Sequence, residues 1–255
     1  MIVFSRKNFN SFKTYSFVKH YVGFLNFFAL RRDPNMYKSL KESNRLGETL
    51  FLGLISFVCF SLSVFRFIYT DTNAFLFLNW NLFLAFIPWV LCTLLIIYPN
   101  LQKSKIALST LVTAWLLFFP NAPYILTDLF HLQKKQSMPI WFDLLLILSF
   151  AWAGLMFGFM SLWDIEKILS QKINKKIIPL LSAMLLFLGS FGIYVGRYLR
   201  WNSWDIIREP LALLYDIGDN VINPFQHPRT WGMTIFMFLF LYMIYWSFRF
   251  VKNRI

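Results

Sequence analysis

Asn121, Tyr124, Asp128 and His131 stand at i, i+3, i+7 and i+10, which would put an amide, a phenol, a carboxylate and an imidazole on one helical face. A carboxylate and an imidazole so placed can hold a divalent cation or act as acid and base. Asp143 and Asp205 add carboxylates further along, so the candidate catalytic groups are Asp128, His131, Asp143 and Asp205, with His227 nearby in the same loop region. Arg66, Arg197 and Arg200 carry planar guanidinium groups of the kind that grips a phosphate. With Asn121, Tyr124, Asn202 and Trp204 they form the candidate substrate-binding set. The Asp-x-x-His spacing has no second ligand pair beside it, so the metal and any cofactor stay unassigned. No Walker loop, dinucleotide fingerprint, His-Glu-x-x-His or Gly-x-Ser-x-Gly occurs, which disfavours nucleotide-driven, zincin and serine-hydrolase chemistry.

The elements that must position these groups are membrane spans. Of 255 residues, 58% are hydrophobic and 15% charged, and mean hydropathy is +0.54. A soluble enzyme, a disordered tail and a disulfide-stapled module are excluded on that balance. Cys59 and Cys92 lie inside apolar runs and read as small hydrophobes. Six runs match the roughly 20 residues that cross a bilayer core of about 30 Å. They are Thr49 to Tyr69, Ala74 to Tyr98, Ile106 to Leu126, Ile140 to Trp163, Ile177 to Leu199 and Trp231 to Phe250. Their continuity suits helices and not barrel strands, so the expected fold is an all-α polytopic bundle spanning residues 49–255.

Eighteen Lys and Arg fall in segments sharing a side with the N-terminus and five on the opposite side. By the positive-inside tendency this expects both termini in the cytoplasm of a bacterial plasma membrane. The net charge of +13 is then topological, and nucleic acid is an unneeded partner. Residues 1–48 lack a signal-peptide cleavage pattern. Their interleaved aromatic and basic residues read as a segment lying on the inner leaflet, with a partial span over residues 9–30 as the alternative.

Pro120 and Pro123 are expected to break the third span, with Asn121 capping a new short helix. Gly154 with Gly158, and Gly192 with Gly196, have the small-xxx-small spacing that admits a neighbouring helix, within the chain or in a homo-oligomer or membrane partner. In the outer loop at about 200–230, Ser203 is expected to cap a surface helix bent at Pro210, with Trp204, Ile207, Leu211 and Leu214 on its apolar face.

The run from Asn121 to His131, Trp141-Phe-Asp143 opening the next helix, and Gly196 to Asp205 resemble the bacterial membrane-protein family called domain of unknown function 1361. The resemblance covers roughly residues 50–250 and implies a multi-pass membrane protein with these polar blocks as its signature. It implies no activity, substrate or cofactor.

Three functions fit these residues. One is a membrane-embedded enzyme or lipid handler acting on a lipid or lipid-linked phosphate at the outer leaflet. A second is a small oligomeric transporter, with the broken third helix as its discontinuous element and Asp143 paired with Arg197. The third is a non-catalytic accessory or scaffold protein.

Overall fold

The structure, a computed structural model, describes residues 34–132 and 138–252. Every regular element among them is helical. The expected inner-leaflet segment at residues 9–30, and Lys134 and Lys135, lie outside the described residues. The chain divides into two compact units, 1–54 and 55–255. In the first, α1 (Pro34–Glu42) ends in a turn through Asn44, whose φ is 56°. Helix α2 (Leu46–Thr70) starts there, with Arg45 paired to Glu48 at 2.7 Å, and runs on into the second unit.

In the second unit follow α3 (Phe77–Ile97), α4 (Pro99–Lys103), α5 (Lys105–Phe118), α6 (Asn121–Tyr124) and a 3-10 helix at Ile125–His131. Then come α7 (Ile140–Leu169), α8 (Ile178–Arg197), α9 (Asp205–Arg208), α10 (Pro210–Ile222) and α11 (Pro228–Lys252). Six stretches are long and apolar enough to cross a membrane: Leu46–Thr70, Phe77–Ile97, Lys105–His131, Ile140–Leu169, Lys175–Arg197 and Pro228–Val251. Consecutive spans run in opposite directions. We call the end where α2 passes to α3 the far end, and the end where α3 passes to α4 the near end.

Helix α7 is the hub. Of its most apolar window, 67% is buried, against 17% for α11 at the edge. Trp115, Phe119, Leu155, Phe159, Leu162, Leu186, Ile193, Leu241 and Tyr245 fill the space between α5, α7, α8 and α11. Side chains such as Phe57, Ile106, Leu180, Phe236 and Met243 stay exposed, as lipid requires and water would not.

The third span is interrupted where the prolines are expected to break it: α5 ends at Phe118, and a new short helix, α6, with Pro123 in its first turn leads into the 3-10 helix. Pro120 keeps helical angles, φ −58° and ψ −26°, and the backbone continues through α6 into the 3-10 helix. At this break side chains serve two carbonyls of the last turn of α5: the Asn121 amide donates to the Phe118 carbonyl at 2.9 Å and Ser203 Oγ to the Leu117 carbonyl at 3.1 Å. This corrects two expectations. Asn121 is the first residue of α6 and not its cap, and Ser203 serves the third span instead of capping a surface helix. Pro210 likewise opens α10 at its first position, where a missing N–H costs nothing, so the loop at 200–230 is largely two separate helices.

Candidate functional site

Four of the sequence-derived residues meet at the far end, though not in the pairs expected. Arg66 Nε donates to Asp143 Oδ1 at 2.6 Å and its second terminal nitrogen to Oδ2 at 3.2 Å. Arg66 also donates to Thr72 Oγ1 and the Ala74 carbonyl, both at 3.1 Å, and lies 4.7 Å over the Phe75 ring. Asp71 and Phe75 hold φ of 48° and 66°, the backbone wrapping tightly around the guanidinium. Both side chains of this ion pair are 1% exposed.

Arg197 closes the end of α8 onto the 3-10 helix. It pairs with Asp128 Oδ1, donates through Nε to Thr127 Oγ1 at 2.8 Å, and lies 4.3 Å over the Tyr124 ring. The 3-10 geometry explains this set. At three residues per turn Thr127 falls directly beyond Tyr124, and His131 beyond Asp128, so two short columns replace the single α-helical stripe read from the spacing. Asn81 Nδ2, from the first turns of α3, donates to Asp128 Oδ2 at 2.8 Å. The transporter pairing of Asp143 with Arg197 is therefore corrected: Asp143 belongs to Arg66 and Arg197 to Asp128.

The remaining candidates are dispersed. His131 is 47% exposed, 4.0 Å from Asp128 and 5.2 Å from the Phe77 ring. Asp205 accepts from the Asn202 backbone N–H at 2.7 Å and its amide at 3.1 Å, stapling the turn before α9. Arg200 is exposed at φ 62°. Trp204 lies 6.3 Å from Trp80, edge to face. His227 Nε2 bonds Asp219 at 2.8 Å. Hydrogen bonds from Asn223, and then from His227, hold the Asp219 carboxyl below its ordinary range. Among the described residues no three His, Cys, Asp or Glu side chains converge as metal ligands.

The glycines position the segment between the prolines. A Cβ on Gly154 would stand 2.5 Å from the Ala122 carbonyl oxygen, one on Gly158 3.0 Å from Ala122 Cβ, and one on Gly192 2.5 Å from Pro120 Cγ. Gly196 faces the Tyr124 ring at 3.4 Å. The small-residue faces of α7 and α8 are thus filled by the chain's own residues 119–124, which fixes the register of Tyr124, Thr127 and Asp128 against Arg197.

Beside this clamp a cleft of about 430 Å³ opens between α3, α5, α8 and the segment from Trp201 to Ile217. Leu84, Leu116, Leu188 and Phe191 make its apolar wall, while Asn81, Asn121, Tyr124, Asn202 and Ser203 make the polar one. Helix α10 closes a side through Leu213 and Ile217. It is mounted with its polar face inward: Asp216 accepts from Trp201 Nε1 at 2.8 Å, and Asn220 Oδ1 from Thr230 Oγ1 at 2.6 Å, while the Asn220 backbone carbonyl accepts from Trp231 Nε1 at 3.1 Å. Leu211, Tyr215 and Ile222 point outward, 81%, 76% and 77% exposed. Such a face suits the membrane interface and not water.

Sequence reading misses Asn81 and Thr127, neutral residues inside or beside apolar runs that carry no signal alone, and gives Ser203 a different role. It also misses a near-end cluster. There Glu166 of α7 accepts from Ser182 of α8 and from Tyr245 of α11 at 2.6 Å, and pairs with Arg249 at 3.1 Å. That cluster ties three helices together.

No curated protein and no solved structure matches this chain. The family described as Protein of unknown function (DUF1361) matches over residues 80–244, a stretch that contains every residue lining the cleft together with Asp128, Asp143 and Arg197, and leaves Arg66 outside. The chain is an integral membrane helical bundle and belongs to that family.

Proposed function

We propose that the protein binds a lipid or lipid-linked molecule in the far-end cleft. The observation that carries this reading is the cleft itself, with an apolar wall at membrane depth meeting a wall of hydrogen-bonding side chains. Its volume of about 430 Å³ lies within the 300–1,000 Å³ usual for small-molecule sites. Asp128 and Asp143 are each 1% exposed and neutralised by an arginine. Neither is among the lining residues, and Asp128 meets the cleft only by holding Asn81, so they do not present a nucleophile or base to it. This favours a lipid handler over a hydrolytic enzyme. We further propose, from the distribution of basic residues, that both chain ends face the cytoplasm of a plasma membrane, which sets the cleft in the outer leaflet.

The test is lipid retention by the full-length protein in a mild membrane mimic, read by native mass spectrometry. Wild type is expected to retain about one lipid per chain under conditions that strip the annulus. Leu188→Trp, which fills the apolar wall, is expected to lose it. Leu180→Trp, on the lipid-facing side of the same helix at 72% exposure, is expected to keep it. Equal retention by all three, or none by wild type, refutes the cleft and favours an accessory protein.

A further inference from the structure

The chemistry of the ligand's head can be read from the polar wall, given the lipid-binding reading above. Among the described residues, no Lys, Arg, Asp, Glu or His lines the cleft. Arg66 and Arg197, which could have met a phosphate, are occupied by Asp143 and Asp128. Arg200 and Arg208 are not among the lining residues. A phosphate brought into this cleft would lose its hydration and find no cation.

The neutral groups have a polarity of their own. Asn81 turns its amide N–H to the Asp128 carboxylate, Asn121 to the Phe118 carbonyl and to Ser203 Oγ, and Asn202 to the Asp205 carboxylate. Carboxylate and carbonyl oxygens only accept, so these contacts fix each amide with its NH2 toward the protein. That leaves three amide oxygens, all acceptors, with no hydrogen-bond partner among the described residues. The Tyr124 hydroxyl has none there either. An acceptor-rich, uncharged wall is matched by a head that donates hydrogen bonds. A phosphate, which carries charge and mainly accepts, is its opposite.

We infer that the cleft takes an uncharged lipid with a free hydroxyl, such as a diacylglycerol, its acyl part along Leu84, Leu116 and Leu188, its hydroxyl donating to Asn81, Asn121 or Asn202 and accepting from the Tyr124 hydroxyl. Three probes separate the alternatives: 1,2-dioleoylglycerol, its 3-acetyl ester, which lacks the hydroxyl, and dioleoyl phosphatidate. The full chain is reconstituted in phosphatidylcholine nanodiscs doped equally with the three, and retained lipid is quantified by mass spectrometry after transfer to detergent. Dioleoylglycerol is expected to be enriched roughly tenfold over the other two. Tyr124→Phe, which keeps the ring beneath Arg197, is expected to lower that enrichment several-fold with unchanged thermal stability. Enrichment of phosphatidate, or equal enrichment of the ester, overturns the inference while the cleft stands. Enrichment of no lipid above the Leu188→Trp level overturns both.

Discussion

Replacing Asp143 by asparagine isolates the energetics of the far end. The side chains of Asp143 and Arg66 are each 1% exposed and share two hydrogen bonds, at 2.6 and 3.2 Å. The Asp143→Asn variant would keep the shape and one acceptor, but its NH2 would oppose an Arg66 N–H, and the guanidinium charge would stay buried without a counter-charge. Breaking a buried pair in this way costs about 3–5 kcal/mol. Removing both partners, as Arg66→Met with Asp143→Leu, takes the charge away altogether. It forfeits chiefly the donors to Thr72 and Ala74, at about 1 kcal/mol each. The double variant is therefore expected to be more stable than the single one, although it departs further from the natural sequence. Denaturant titration of wild type, single and double variants in bicelles measures all three. A single variant within about 1 kcal/mol of wild type, or a double variant no better than the single, would refute the reasoning.

Gly154→Ala, aimed at the Ala122 carbonyl 2.5 Å away, should destabilise the bundle by several kcal/mol. Gly218→Ala, with nothing within 4 Å in the middle of α10, should stabilise it by up to about 1 kcal/mol; melting temperatures in one detergent compare them. Because the folded Asp219 pKa lies below its unfolded value, its contribution to stability is present above the unfolded pKa and fades as pH falls through the folded one. Asn223→Ala, which removes the leading cause, should raise that pKa toward the ordinary aspartate value near 3.9, as followed by carboxyl NMR. A reporter fused after Ile255 should be active only in the cytoplasm, and activity outside would overturn the proposed orientation.

What the sequence reveals here tracks what hydropathy can report. The six runs locate all six spans to within a few residues at most ends, since continuous apolarity is what a bilayer selects. The third and fourth spans are the exceptions: the third continues from Leu126 to His131 and the fourth from Trp163 to Leu169, because a helix does not stop where the membrane does, and the second extension carries Glu166 to its partners. Arg66, Asp128, Asp143 and Arg197 stand out in the sequence as charges in or beside apolar segments. Their pairing does not, since Arg66 and Asp143 are 77 residues apart and Arg197 and Asp128 69. The prolines locate the break in the third span, and only the cap role expected of Asn121 fails, since it is the first residue of α6. The Asn121 and Ser203 side chains that serve the Phe118 and Leu117 carbonyls are ordinary polar residues, and the role of Ser203 exists only once the Trp201 turn is in place. Asn81 is invisible for the same reason, a neutral amide in an apolar run whose partner lies on another helix.

The two far-end ion pairs also bear on how the protein would respond to an electric field. A unit charge crossing the whole membrane potential gains about 2.3 kcal/mol per 100 mV. Arg66 with Asp143, and Arg197 with Asp128, each carry opposite charges within hydrogen-bonding distance, so each moves as a dipole with no net charge. A rearrangement of the far end that keeps both pairs intact would be electrically silent.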